Sequence, residues 1–171
     1  MTRPEAGLGH YVRDVVNGAL DGVITTIAVL AGAEGASLGA RVGLILGLAN
    51  LLGDGISMGA SNYLGMRSEI EQSGGSIAAE APWRHGLATL VAFMVVGAVP
   101  LGGYVVADAT GVGVFPAAVV LAIVALAVAG GFRARYVHKS ARWSAAEMVA
   151  VGVAAGGAAF FVGRLASALI G

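Results

Sequence analysis

Two carboxylates stand in the most apolar stretches of this chain: Asp21 in DGVITTIAVLAG, residues 21–32, and Asp54 in NLLGDGISMGASNYLG, residues 50–65. An ionisable side chain near the middle of a bilayer costs roughly 2.5–3.5 kcal/mol on insertion scales, so it faces protein or water and serves a function. In the first stretch Asp14, Asn17, Asp21 and Thr25 are separated by three, four and four residues, which keeps them on one helical face. In the second, Asn50, Asp54, Met58 and Asn62 step by four, with Ser57 and Ser61 beside them. Each stretch reads as an apolar rod with a single polar stripe.

Carboxylate, amide and hydroxyl oxygens suit hard or borderline divalent ions, and a thioether tilts the preference toward softer transition metals. The chain has no cysteine, and His10, His85 and His138 fall near the ends of apolar runs. A thiolate or buried imidazole site is therefore not expected, and Fe2+ or Mn2+ fits the donor set better than Zn2+ or Cu+. A carboxyl group in low dielectric holds a proton when no cation is present and releases it to one. One residue can then exchange a proton for a metal ion. The plainer alternatives are an Asp bonded to Ser, Thr or Asn of a neighbouring helix as structural glue and Met58 as gap-filling core. Asn50 and Asn62 serve equally well as path-lining residues or as bonds between helices.

The elements that hold these residues follow from composition. Of 171 residues 57% are hydrophobic and 12% charged, against about 25% charged in soluble domains. The bilayer is the expected solvent. A hydrocarbon core of roughly 30 Å needs about 20 mostly apolar residues as helix. Five segments qualify, at 12–33, 39–65, 86–107, 112–133 and 144–169. The expected fold is a single all-α integral membrane domain of five transmembrane helices over 1–171, with a short loop at 66–85. The 28 glycines make GxxxG spacings such as Gly18/Gly22 and Gly55/Gly59 weak signals for a particular interface. The N-terminal MTRPEAGLGHYVRD lacks the order of a cleavable signal.

With the N-terminus cytoplasmic and the C-terminus outside, Arg3, Arg13, Arg67, Arg84, Arg133, Arg135, Lys139 and Arg142 lie inside. Only Arg41 and Arg164 lie outside, a strong positive-inside bias. The cluster at 130–143 marks topology better than it marks a lipid site. Net charge is zero, which gives nucleic acid no electrostatic hold. On this topology Asp21 and Met58 each sit about 12–14 Å from the cytoplasmic boundary, with Asp54 about 6 Å deeper. Asn62 and Asp14 lie above them, so two antiparallel helices form a ladder of oxygen and thioether groups.

The motifs RDVVNGALDGVITTIAVLAG and ANLLGDGISMGASNYLGMRSE, with ARWSAAEMVAVGVAAGGAAFFVGRL near the end, resemble the vacuolar iron transporter family. The resemblance touches all five spans and is most specific in the first two. It implies a homodimer with a path between the first two spans at the two-fold axis, and Fe2+ export from the cytosol coupled to proton entry. Asp21 and Met58 match the family's metal positions, and Asp54 and Asn50 lie in the matching second-span motif. The family's Glu-rich cytoplasmic metal-binding domain is replaced by a short loop. Glu69 and Glu71 are then either a remnant of metal capture or solvated charges, and Glu147 in the Glu-Met pair of the fifth span is a third capture candidate.

The leading expectation is a proton-coupled transporter of Fe2+ or Mn2+ in a bacterial plasma membrane. Its partners are the divalent ion, protons, lipid and a second copy, and it carries no permanent cofactor. A structural or regulatory membrane module, or a passive divalent-cation channel, is the alternative. No Ser-His or Asp-Asp motif points to an enzyme.

Overall fold

A computed structural model describes residues 11–137 and 140–170; Arg3, His10, His138 and Lys139 lie outside the described residues. The regular structure of the described residues is all helix, and the long helices come from apolar runs whose buried faces are almost wholly uncharged, Asp14 being the exception. They are α1 (Val12–Gly35), α2 (Ala40–Ser73), α3 (Ile77–Glu80), α4 (Pro82–Gly97), α5 (Gly103–Thr110), α6 (Val114–Val137) and α7 (Ala141–Ile170). Five stretches are long and apolar enough to cross a membrane: Val12–Gly35, Ala40–Ser73, Pro82–Ala107, Val114–Tyr136 and Ala141–Ile170. The expected all-α, five-span class is the observed one.

Two boundaries differ from the sequence reading. Residues 66–73, expected in a loop, continue α2, which stops only where Gly74 takes a left-handed φ of 69°. An exposed i,i+4 pair between Arg67 and Glu71 supports that polar extension. The link to the third span is thus much shorter than 66–85 and contains the single-turn α3. The third span is not one uninterrupted helix. Pro100 has no amide hydrogen, and its ring would clash with the carbonyl four residues earlier. The chain passes through a 3-10 turn at Val99–Gly102 before α5 resumes.

α1 is the central strut. It packs on α4, α7, α2 and α6, and it contributes Val16, Val23, Ile27 and Leu30 to a core shared with Leu51, Phe93, Leu101, Leu126 and Met148. α2 lies along α1 and α4, antiparallel to α1, and much of its remaining surface is exposed. Small residues set how close these three helices come. A Cβ on Gly22 would sit 2.5 Å from the carbonyl oxygen of Phe93, and one on Gly86 would sit 2.6 Å from the carbonyl oxygen of Gly59. Only bare backbone fits at these crossings. The starts of α1, α4 and α7 and the ends of α2 and α6 share one end of the bundle, which carries Arg13, Arg67, Arg84, Arg133, Arg135 and Arg142. It is called the basic end below.

Candidate functional site

The stripe on α1 and the stripe on α2 face a common seam, and the seam has two distinct zones. At the basic end the close Gly59–Gly86 crossing brings α2 against the first turns of α4. Asp14 is 3% exposed there, and both of its oxygens are engaged. Oδ1 accepts a hydrogen bond from Asn62 Nδ2 at 2.9 Å, and Oδ2 lies 2.5 Å from His85 Nδ1. A contact that short needs a proton between the two atoms, since facing lone pairs would repel. Asn62 Nδ2 also reaches Thr89 Oγ1 at 2.6 Å and the His85 carbonyl at 3.2 Å. Thr89 donates its own hydroxyl hydrogen to that carbonyl at 3.1 Å. Three acceptors surround an amide group with two hydrogens, so its donor capacity is spent. The Tyr11 ring covers the imidazole, with centroids 4.6 Å apart.

His85 was not expected in a buried site. The sequence reading placed it at a span end, outside a helix starting at 86. The helix starts at Pro82, whose missing amide hydrogen and fixed φ suit the first helical turn. His85 therefore lies inside that turn, at 3% exposure. Thr89, one turn on, is also buried and was likewise not singled out.

Farther along the seam the surroundings change. Asp21 and Asp54 are both half-buried and close enough to feel each other's charge. Among the described residues neither carboxylate receives a side-chain hydrogen bond. Thr25 is spent on its own helix, donating its hydroxyl to the Asp21 carbonyl oxygen at 2.9 Å. Met58 is half-buried and packs against the apolar core. Asn50 is half-buried, and its Nδ2 has no partner among the described residues. Asn17 and Ser57 are exposed on the open side.

The three glutamates expected to capture metal stand apart from the seam zones. Glu71 pairs with Arg67 at 2.8 Å, and Glu69 is exposed beside it. Glu147 accepts from Arg133 Nη1 at 3.2 Å on one oxygen and from Trp143 Nε1 at 3.0 Å on the other. Arg133 also donates to Ser144, so this group joins α6 to α7. Among the described residues no three of His, Asp or Glu gather in a set that could hold an ion within one chain.

The model of the VIT family matches residues 12–81 and 71–164, which spans all five membrane helices apart from the chain ends. A vacuolar iron transporter of Toxoplasma gondii is 48% identical over 59 residues, covering 34% of this chain and 20% of that protein. Vacuolar iron transporter 1 of Oryza sativa is 41% identical over 63 residues, 37% of this chain and 25% of that protein. Its namesake in Arabidopsis thaliana is 38% identical over 61 residues, 36% and 24% of the two chains. The matched segments thus span a quarter or less of these relatives. The family match covers most of the chain, and on that ground the chain belongs to the VIT family.

Proposed function

We propose that this chain moves a divalent transition metal, Fe2+ or Mn2+, out of the cytosol along the α1–α2 seam in exchange for protons. The observation that carries the reading is the pairing of Asp21 with Asp54. Two half-buried carboxylates on neighbouring membrane-length helices, each without a side-chain hydrogen-bond donor among the described residues, repel one another. A divalent cation between them relieves that repulsion, and so do protons. The same pair can therefore hold either cargo, which is what exchange requires. Met58 adds a soft donor on the same stripe and tilts selection toward transition metals over Mg2+ or Ca2+. The names of the matched relatives, vacuolar iron transporters, favour iron.

A homodimer fits the incompleteness of the single chain. One copy offers two carboxylates and a thioether, fewer donors than a hard divalent ion takes. Asn17 and Ser57 are exposed beside them. A second copy across this face, related by a two-fold axis, doubles the donor set and covers the stripe. The six arginines of the basic end support a cytosolic position for that end and for the N-terminus, in a bacterial plasma membrane on this reading. Glu69, Glu71 and Glu147, with Glu80, are then acidic groups at the end that faces the cytosolic supply. The Arg67–Glu71 pair is exposed and screened by solvent, so a divalent ion can displace its arginine.

The test is uptake of Fe2+, Mn2+, Co2+ and Zn2+ into proteoliposomes under an imposed pH gradient, with a pH dye inside. Metal entering with matched proton movement is the expected result. Metal flux without any proton response would leave a passive channel, and no flux of any divalent ion would sink the transporter reading.

A further inference from the structure

The seam's basic-end zone has a composition that carrying cations does not explain. Both oxygens of Asp14 and both amide hydrogens of Asn62 are already committed to bonds within the cluster. These groups come from three helices: Asp14 from α1, Asn62 from α2, and His85 with Thr89 from α4. They lie on the stripe between Asp21 and the basic end, seven residues and about 10 Å from Asp21 along α1. Carboxylate and imidazole are both more than nine-tenths buried. Breaking a buried pair leaves each partner uncompensated, so the bonded arrangement seen here is costly to part.

We propose that His85 is a positioning residue that latches the basic-end mouth of the seam. By holding Asp14 against α4, it keeps the carboxylate turned to Asn62 and fastens α1 to α2 across the entry to Asp21. In the fastened arrangement Asp14 is a bolt and not a ligand. Access to Asp21 from this end requires the His85–Asp14 and Asn62–Asp14 contacts to part together. The inference rests on the seam being the metal path, and it adds a closure to that path.

The absence of native cysteine makes the test direct. Thr25→Cys places one thiol a helical turn beyond Asp21, and its rate of modification by a water-borne, membrane-impermeant thiosulfonate is measured in nanodiscs. With His85 present, labelling is slow; adding His85→Ala raises its rate at least tenfold. His85→Gln, whose amide can still donate to Asp14, restores a rate within about twofold of the parent, which loosened packing would not do. Equal rates for parent and His85→Ala overturn the latch, and so does His85→Gln labelling as fast as His85→Ala.

If His85→Ala does not give a monodisperse protein, Thr89→Val is read instead. It removes an acceptor of Asn62 without stranding a charge, and it speeds labelling about threefold; an unchanged rate overturns the proposal. Labelling needs no metal flux, so the two readings fail separately. Metal uptake with labelling indifferent to His85 removes the latch alone. Labelling that responds to His85 in a protein that moves no metal removes the transporter alone.

Discussion

Asp14 and Asp21 occupy the same face of the same helix, two turns apart, and live in opposite surroundings. Asp14 is sealed from solvent with a partner on each oxygen, whereas Asp21 is half-buried, has no side-chain donor among the described residues and lies near Asp54. The difference is made by α4. Its first turns offer His85 and Thr89 toward α1, but where α1 passes Gly22 the facing residues are Phe93 and Gly97, which have no side-chain donor. A third helix converts one carboxylate into a structural bond and leaves the other unsatisfied. An intramembrane charge is therefore judged by its neighbours, not by its depth. Satisfied, it fastens helices; unsatisfied, it is ready for a cation.

The sharpest way to break that contrast is to remove each charge in turn. Asp21→Asn is expected to lower metal uptake in proteoliposomes to the level of empty vesicles. Thermal stability should hardly change, because the carboxylate has no donor to lose. Asp14→Ala should do the reverse in kind. It takes the Nδ1 partner of His85 away in a buried site, and truncating one member of such a pair costs about 3–5 kcal/mol. Thermal unfolding in detergent would show it. A stable Asp14→Ala protein that has lost uptake, beside an Asp21→Asn protein that transports normally, would exchange the two roles.

Why this contrast was only half visible in the sequence is a matter of separation along the chain. The five spans declare themselves because each is a run of apolar residues long enough to cross a bilayer, and the two stripes declare themselves by steps of three and four. His85 gives no such sign. Its partner Asp14 is 71 positions away, and only the glycine crossings of α4 with α1 and α2 bring them together. A shifted helix start hid it further, since Pro82 opens α4 four residues before the apolar run that marked the span. The same limit applies to the end of α2. Residues 66–73 are polar, so hydropathy ends the span at 65 although an i,i+4 ion pair carries the helix on. Pro100 was legible in principle, because a proline inside a helical run implies a break.

A smaller effect is expected at Met58. Met58→Leu preserves volume and apolar packing against the core, so folding should hold to within about 1.5 kcal/mol. What it removes is the soft donor. Uptake of Fe2+ should fall about fivefold relative to Mn2+ in competition, equivalent to roughly 1 kcal/mol of selectivity. An unchanged ratio would return Met58 to the core as a space-filling side chain and leave Asp21 and Asp54 as the whole of the metal contact in one chain.

The smallest effect separates the open zone from what lies beyond it. Thr25 follows Asp21 by one turn on the same stripe, and by position alone it would be the next oxygen an ion meets. Its hydroxyl hydrogen is already given to the Asp21 carbonyl, a bond that lies within α1 and points the group along its own helix. Thr25→Val keeps the branched shape and nearly the same helix propensity. It should leave uptake within twofold of the parent and stability within about 0.5 kcal/mol, since a side-chain bond back to the fourth preceding carbonyl contributes little to a helix. A tenfold loss of uptake in a normally stable Thr25→Val protein would mean that the hydroxyl oxygen, which keeps its lone pairs while donating, takes part in holding the ion. The unsatisfied zone would then extend a turn past Asp21, and the number of side-chain oxygens offered by each chain would rise from the two carboxylates to those and a hydroxyl.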